Sequence, residues 1–266
     1  MTVMLEAPVV RPAVPSADRT PAAGTVTGRV HSWDLSTGVD GPGTRFVVFT
    51  SGCLMRCLYC ANPDTWDRKG GTLMTVDDVM TKIRRFAPAL KVSGGGVTIT
   101  GGEPLLQPIF TGALLRACRE EGLHTALDTA GLLGQNATDE LLDDVSLVLL
   151  DLKSFRPDLY QRLTAQKLEP TLRFARRLAD EGRPTVVRFV MVPGVTDDPQ
   201  NVAGLAQFVA GLGNVDRVDV LAYHRMGLQK YEALGLDYPL DGVTAPTEEQ
   251  LARVRAEFAG RGLAVT

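Results

Sequence analysis

Between Thr44 and Ala259, short apolar runs alternate with helical segments, and this alternation restricts the fold more than any other feature of the chain. Thr44–Thr50, Val97–Thr100, His124–Asp128, Ser146–Asp151, Thr185–Val192 and Val215–Ala222 are aliphatic or β-branched stretches of strand length. Helices are predicted between them: one starting at Thr75 ahead of Pro88, then Gln107–Glu121, Thr171–Glu181, Pro199–Ala210 and Thr247–Ala259. Strands that alternate with helices imply an α/β fold with a mostly parallel sheet and crossover helices. Their unbroken apolar character fits strands covered on both faces. No G-x-G-x-x-G turn follows the first strand, which argues against a dinucleotide-binding doubly wound sheet. An incomplete β/α barrel fits the pattern. Upstream, Val26–His31 reads as a short strand and Gly38–Gly43 as a Gly-rich turn.

In barrels, functional side chains gather where strands end. The predicted strand ends here carry a cysteine-rich loop after Thr50, then Gly101-Gly102-Glu103, Asp128-Thr129, Asp151-Leu-Lys153 and Tyr223-His224, with Arg188 inside a strand. Caps and turns attract Asp, Thr and Gly anyway, so each residue alone is weak. Together they outline one mouth.

The loop after Thr50 holds Cys53, Cys57 and Cys60, three of the chain's 4 cysteines, spaced C-x3-C-x2-C. Thiolates are soft ligands suited to iron–sulfur clusters, zinc or Cu(I). An electron-carrier [4Fe–4S] site normally uses four cysteines, so three ligands leave one iron open for another molecule. A structural zinc site would need a fourth ligand, and zinc motifs usually come as paired C-x2-C hooks. A disulfide framework is disfavoured by the sparse, odd cluster of three. Cys118, in the apolar segment Ala113–Cys118, reads as a small buried hydrophobe.

The run Cys53-Leu-Met-Arg-Cys57-Leu-Tyr-Cys60 resembles the cluster loop of the radical S-adenosylmethionine (SAM) enzymes. The resemblance implies a partial (β/α)6 barrel, a [4Fe–4S] cluster on Cys53, Cys57 and Cys60, and SAM chelated to the unligated iron. Reductive cleavage of SAM then gives methionine and a 5'-deoxyadenosyl radical that abstracts hydrogen. By the same resemblance, Gly101, Gly102 and Glu103 lie against the SAM amino group, and Tyr59 beside the adenine. Lys153 and Arg188 fall near the SAM carboxylate, and His224 near the nucleoside. Asp128, Thr129 and Asp151 hold a monovalent cation, Na+ or K+; hard cations take oxygen ligands. The bland readings are that Tyr59 packs under the loop and that both Asp residues cap the following segments.

Gly28–Trp33, Val39–Phe46, Asp64-Thr-Trp66, Ser93–Val97, Val148–Lys153, Val192-Pro-Gly194 and Tyr223-His224 extend the likeness to the glycyl-radical-enzyme activating enzymes, nearest to the pyruvate formate-lyase type. It spans about residues 25–265. It implies a protein substrate: a glycyl radical enzyme of the pyruvate formate-lyase type, whose loop glycine loses a Cα hydrogen. Asp40 matches a position that contacts this substrate peptide, and residues 225–242, read as loop, could cover or admit it. A flavodoxin or ferredoxin-like reductant and a monomeric state follow from the same likeness. With Cys118 the only spare cysteine, no second cluster is expected. Two departures stand out: Ala61 follows Cys60 where relatives carry histidine, and Ala130 replaces an asparagine. The rival readings are a radical SAM enzyme acting on another peptide or small molecule and, from a different class, a non-enzymatic iron–sulfur or zinc protein.

Composition adds exclusions. A net charge of −3 (28 basic against 31 acidic residues) gives no footprint for nucleic acid or anionic membrane. No apolar run approaches the ~20 residues of a membrane span. Sparse, unpaired cysteines fit a cytoplasmic setting. Residues 1–24, punctuated by Pro8, Pro12, Pro15 and Pro21, are expected to be a disordered extension, with residues 25–266 forming the barrel domain.

Overall fold

The computed structural model describes residues 23–266. In chain order the strands are β1 (Thr27–Thr37), β2 (Thr44–Thr50), β3 (Thr72–Thr75), β4 (Gly96–Gly101), β5 (His124–Thr129), β6 (Leu147–Asp151), β7 (Thr185–Met191) and β8 (Val215–Ala222). The helices are α1 (Val76–Arg84), α2 (Ala87–Val92), α3 (Pro108–Glu120), α4 (Asp139–Asp143), α5 (Pro157–Thr164), α6 (Glu169–Asp180), α7 (Pro199–Ala210), α8 (Leu228–Ala233) and α9 (Glu248–Ala259). The expected extension lies outside the described residues except for its last two, which enter a 3-10 turn, Ala23–Thr25.

One sheet runs in the order β3-β1-β2-β4-β5-β6-β7-β8. From β2 to β8 every pairing is parallel, as the alternation with helices requires, whereas β1 pairs antiparallel with both β2 and β3. This is the expected partial barrel of six parallel strands with an antiparallel extension on one edge. Among the described residues no ladder joins β8 to β2, so the sheet stays open. The last residues cover the free edge of β8: Val218 and Val220 N–H donate to Ala264 and Thr266 C=O, and Thr266 N–H donates back to Val218 C=O, as edge strands need.

Strand parity separates two interiors. Val97 and Ile99 of β4 join the large apolar core under the helices, while Thr98 and Thr100 face the inside of the curl. A small inner cluster, Ala126, Leu147, Leu149 and Val186, fills the middle of that inner face. The helices pack the outer face through i, i+3/i+4 stripes, such as Val76, Val79, Met80 and Ile83 on α1. α1 starts as its sequence suggests, with Thr75 and Asp78 forming a reciprocal capping box.

Several local expectations need correction. β1 continues to Thr37 instead of ending at His31, because pairing with β2 places Trp33 opposite Val48 and Leu35 opposite Phe46. Pro88 lies past the end of α1, as expected, but it also opens a further helix. It sits in the first turn of α2, where its missing N–H costs nothing. The segment 225–242, read as loop, contains α8. The short helices α4 and α5 also went unanticipated.

Candidate active site

The cysteine loop leaves β2 at Thr50 and is clamped from two sides. Gly52 N–H donates to Thr65 C=O (2.7 Å) and Cys53 N–H to Trp66 C=O (3.2 Å). On the other side Arg56 and Leu58 N–H donate to Thr164 and Leu163 C=O, both at 2.9 Å, at the end of α5. The loop thus has little backbone freedom, and all three thiols line one cavity of about 520 Å³ at the C-terminal ends of the strands. Burial pushes the Cys53 thiol up to about 11 and Cys57 up to about 12, and raises Cys60 as well. Among the described residues no three His, Cys, Asp or Glu side chains converge on a single metal ion. Three soft thiols set into the wall of a roomy cavity instead suit a polynuclear iron–sulfide cluster, so the donor set fits the expected group. Cys118 is not part of this wall; it is buried in α3 with its sulfur 3.7 Å from Met80 Sδ, as the apolar reading anticipated.

The Gly101-Gly102-Glu103 element packs directly against this loop. A Cβ on Gly102 would stand 2.3 Å from Gly52 O, and one on Gly101, whose φ is +114°, 2.3 Å from Thr50 N. The two glycines let β4 end flush with the loop, and both line the cavity. Glu103 turns away from it. Its carboxylate, 2% exposed, accepts from Thr129 Oγ1 (2.7 Å), Ala130 N–H (3.2 Å) and Leu105 N–H (3.1 Å). Burial pushes this carboxyl up to about 7 against three hydrogen bonds that favour its charged form. In this arrangement it ties the end of β4 to the end of β5 and does not face the cavity expected to hold the SAM amino group.

Asp128, Asp151, Lys153 and Arg188 all line the cavity and form one buried network. Arg188 reaches Asp128 Oδ1 (2.6 Å) and Asp151 Oδ1 (3.1 Å), Lys153 Nζ reaches Asp151 Oδ2 (2.9 Å), and Thr100 Oγ1 donates to Asp128 Oδ2 (2.7 Å). Burial would raise Asp151, but Arg188 and Lys153 together hold it down at about 2. Burial raises Asp128, which shares its one cation with Asp151. Every oxygen of the two carboxylates already accepts a hydrogen bond, and two protein cations balance their charge. Thr129 points its hydroxyl at Glu103. Of the expected cation ligands, Asp128 and Asp151 are therefore brought together around Arg188, while Thr129 is turned to Glu103.

Tyr59 and His224 also line the cavity. The Tyr59 ring packs with Leu159, Leu163, Val192, Tyr223 and Leu240, with Lys153 Nζ 5.5 Å from its centroid. Its buried hydroxyl has no hydrogen-bond partner among the described residues. Asp40 lines the cavity too, carried there by the Gly38–Gly43 turn. The 225–242 segment covers the loop's end. Gly227 packs so closely on the Cys60–Ala61 backbone that a Cβ would stand 2.9 Å from Cys60 O. Lys230 Nζ clasps Asn62 (2.7 Å) and Asp64 (3.1 Å), and Asp64 also meets His31 Nε2 (3.1 Å). Sequence reading missed Phe49, Met55, Asn62, Trp66, Thr100 and Met226 as lining residues. Of these, Thr100 was recoverable, since it alternates with Val97 and Ile99 on the inner face of β4.

The Radical SAM superfamily profile matches residues 47–206, which span the cysteine loop, the ends of β2, β4, β5, β6 and β7, and Arg188. Pyruvate formate-lyase 1-activating enzyme of Escherichia coli (strain K12) is 44% identical over 233 residues, covering 87% of this chain and 95% of that protein. Pyruvate formate-lyase-activating enzyme of Clostridium pasteurianum is 43% identical over 225 residues, covering 85% and 94%. Among solved structures, a domain of pyruvate-formate lyase-activating enzyme from Bacteroides vulgatus superposes with a TM-score of 0.55 at 31% identity, over 65% of this chain and 98% of that one. Streptococcus suis SuiB bound to its precursor peptide SuiA gives 0.62 at 18% identity, over 85% and 49%, a likeness of fold.

Proposed function

The chain belongs to the radical SAM superfamily and, within it, to the pyruvate formate-lyase-activating enzymes, and from that premise we propose that it generates a glycyl radical on a partner enzyme of the pyruvate formate-lyase type. Cys53, Cys57 and Cys60 would hold a [4Fe–4S] cluster with SAM beside it; together these supply the radical that removes a glycine Cα hydrogen. The protein's own contribution is placement and exclusion of water. The clamped loop holds the three thiols at one end of the cavity. Gly101 and Gly102, not Glu103, border the cavity and would allow a ligand's ammonium group to approach the β4 backbone. Lys153 and Arg188 supply the positive charge for a carboxylate, which would compete with Asp151 and Asp128 for it. A Na+ or K+ ion at Asp128, Thr129 and Asp151 would have to displace Arg188, so no step is assigned to one. Tyr59 and His224 border the space left for a nucleoside, and Asp40 the approach for the substrate loop.

The observation that carries this reading is that three thiols and no fourth cysteine share a cavity with a charge-balanced Asp/Arg/Lys floor. A closed electron-transfer site would need a fourth ligand. A monomer in the cytoplasm, served by a flavodoxin or ferredoxin-like reductant, completes the proposal. The test is anaerobic incubation of the reconstituted protein with SAM, a reductant and pyruvate formate-lyase, followed by electron paramagnetic resonance. A glycyl radical signal is expected. SAM cleavage without it would point to another substrate, and no cleavage at all would leave a non-enzymatic cluster or zinc protein.

A further inference from the structure

Arg45, at the start of β2, is 0% exposed, yet among the described residues it makes no ion pair within salt-bridge distance. Its Nε donates to Thr98 Oγ1 at 2.9 Å, its Nη2 to Val97 C=O, and its Nη1 lies 3.1 Å from His124 Nδ1. Burial pulls the guanidinium down to about 10, with Asp40 the largest opposing influence. A charge buried this deeply without an acidic partner is costly, so it calls for a compensating role.

The compensation lies one bond further on. Thr98 Oγ1, having accepted from Arg45, donates its own proton to the C=O of Asp40 at 2.6 Å. This hydrogen bond fastens the Gly38–Gly43 turn to the inner face of β4. Thr44 N–H to Ser93 Oγ (3.2 Å) holds the turn's far end. The Asp40 carboxylate is left on the cavity wall, and among the described residues no protein donor is hydrogen-bonded to it. Two buried guanidiniums, Arg45 and Arg188, both feel its charge. A carboxyl acceptor held in this way suits the backbone N–H of an extended peptide, which binds carboxylates by charge-assisted hydrogen bonds.

We propose that Arg45 and Thr98 are positioning residues: they pin the Asp40 turn from inside the barrel and so set the carboxylate that receives the substrate peptide. This rests on the peptide-substrate reading above. Thr98 is the residue to change, since its hydroxyl alone reaches the turn, while Arg45 loses one acceptor and keeps Val97 C=O and His124.

The experiment uses the reconstituted holoenzyme and a synthetic peptide carrying the glycine loop of pyruvate formate-lyase. Thr98→Val should raise KM for the peptide roughly tenfold, the worth of one lost hydrogen bond to a positioned group. Its kcat and its peptide-free SAM cleavage should not change. Thr98→Ser, which keeps the hydroxyl, should restore KM. In an Asp40→Ala background Thr98→Val should add nothing. Hydrogen exchange of the amides of residues 38–44 should quicken in Thr98→Val and not in Thr98→Ser. Thr98→Ala carries the same expectations if the valine variant fails to fold. Full additivity with Asp40→Ala, unchanged exchange in the turn, or equal loss of cluster and SAM cleavage would overturn the proposal. Failure of the unaltered enzyme to act on the peptide would instead sink the functional reading, and exchange in the turn would then decide the pinning by itself.

Discussion

Arg188 Nη2 stands 2.6 Å from Asp128 Oδ1, so a buried ion pair ties β7 to β5 across the intervening β6. The same guanidinium takes Asp151 on β6 itself, and three successive strand ends are locked by one side chain. The cavity floor is thus a structural element as well as a binding surface.

Replacing Arg188 with Met strands two carboxylates with only Lys153 to answer them. Removing one partner from a buried pair costs on the order of 3 kcal/mol. Denaturant unfolding of the variant should show a loss of this size, and adding Asp128→Asn should recover part of it. A double variant no more stable than Arg188→Met would show that the pair is not the source.

Asp151 makes stability depend on acid. Its folded pKa of about 2 lies below the ordinary carboxylate value, so its contribution is present above about pH 4 and disappears as pH falls through about 2. The contribution is roughly 2 kcal/mol. Urea midpoints measured from pH 6 down to pH 2 should show the gap between the parent protein and Asp151→Asn narrowing. A gap that holds constant would remove Asp151 from the account.

Cys57→Ala should abolish cluster assembly while leaving the far-ultraviolet circular dichroism unchanged, because the loop is clamped by backbone bonds and not by its thiols. Iron and sulfide counting checks this. In the parent protein the thiols, raised by burial, must lose protons to bind metal, so iron uptake should strengthen as pH rises.

Gly102→Ala forces a Cβ to within 2.3 Å of Gly52 O, backbone that cannot yield without moving the cysteine loop. Overpacking of this kind costs about 2 kcal/mol. The variant should unfold earlier and retain less iron after reconstitution. Full iron content with parental stability would mean that the loop tolerates the shift.

Much of this was legible beforehand. Thr44–Thr50, Pro199–Ala210 and Val215–Ala222 form the predicted elements with the predicted bounds, because long apolar or periodic runs carry their own signal. The six-residue α8 carried none. Its order comes from Tyr231 packing edge-on against Trp66 and from Lys230 clasping Asn62, contacts with residues far away in the chain. Arg45 was equally hidden, since arginine is ordinarily a surface residue and only the fold reveals it as buried.

By itself the sequence determined that three soft ligands lie in one short loop and that polar residues close successive strands, because spacing and side-chain chemistry are local properties. Only the tertiary structure decided where those side chains point. It turned Glu103 inward to Thr129, gave Asp128 to Arg188 across 60 residues of chain, and drew the Asp40 turn onto Thr98. The reason is register: parallel pairing sets which distant residues share an inner face, and a carboxylate takes the donor that geometry puts within 3 Å, which no neighbouring residue encodes.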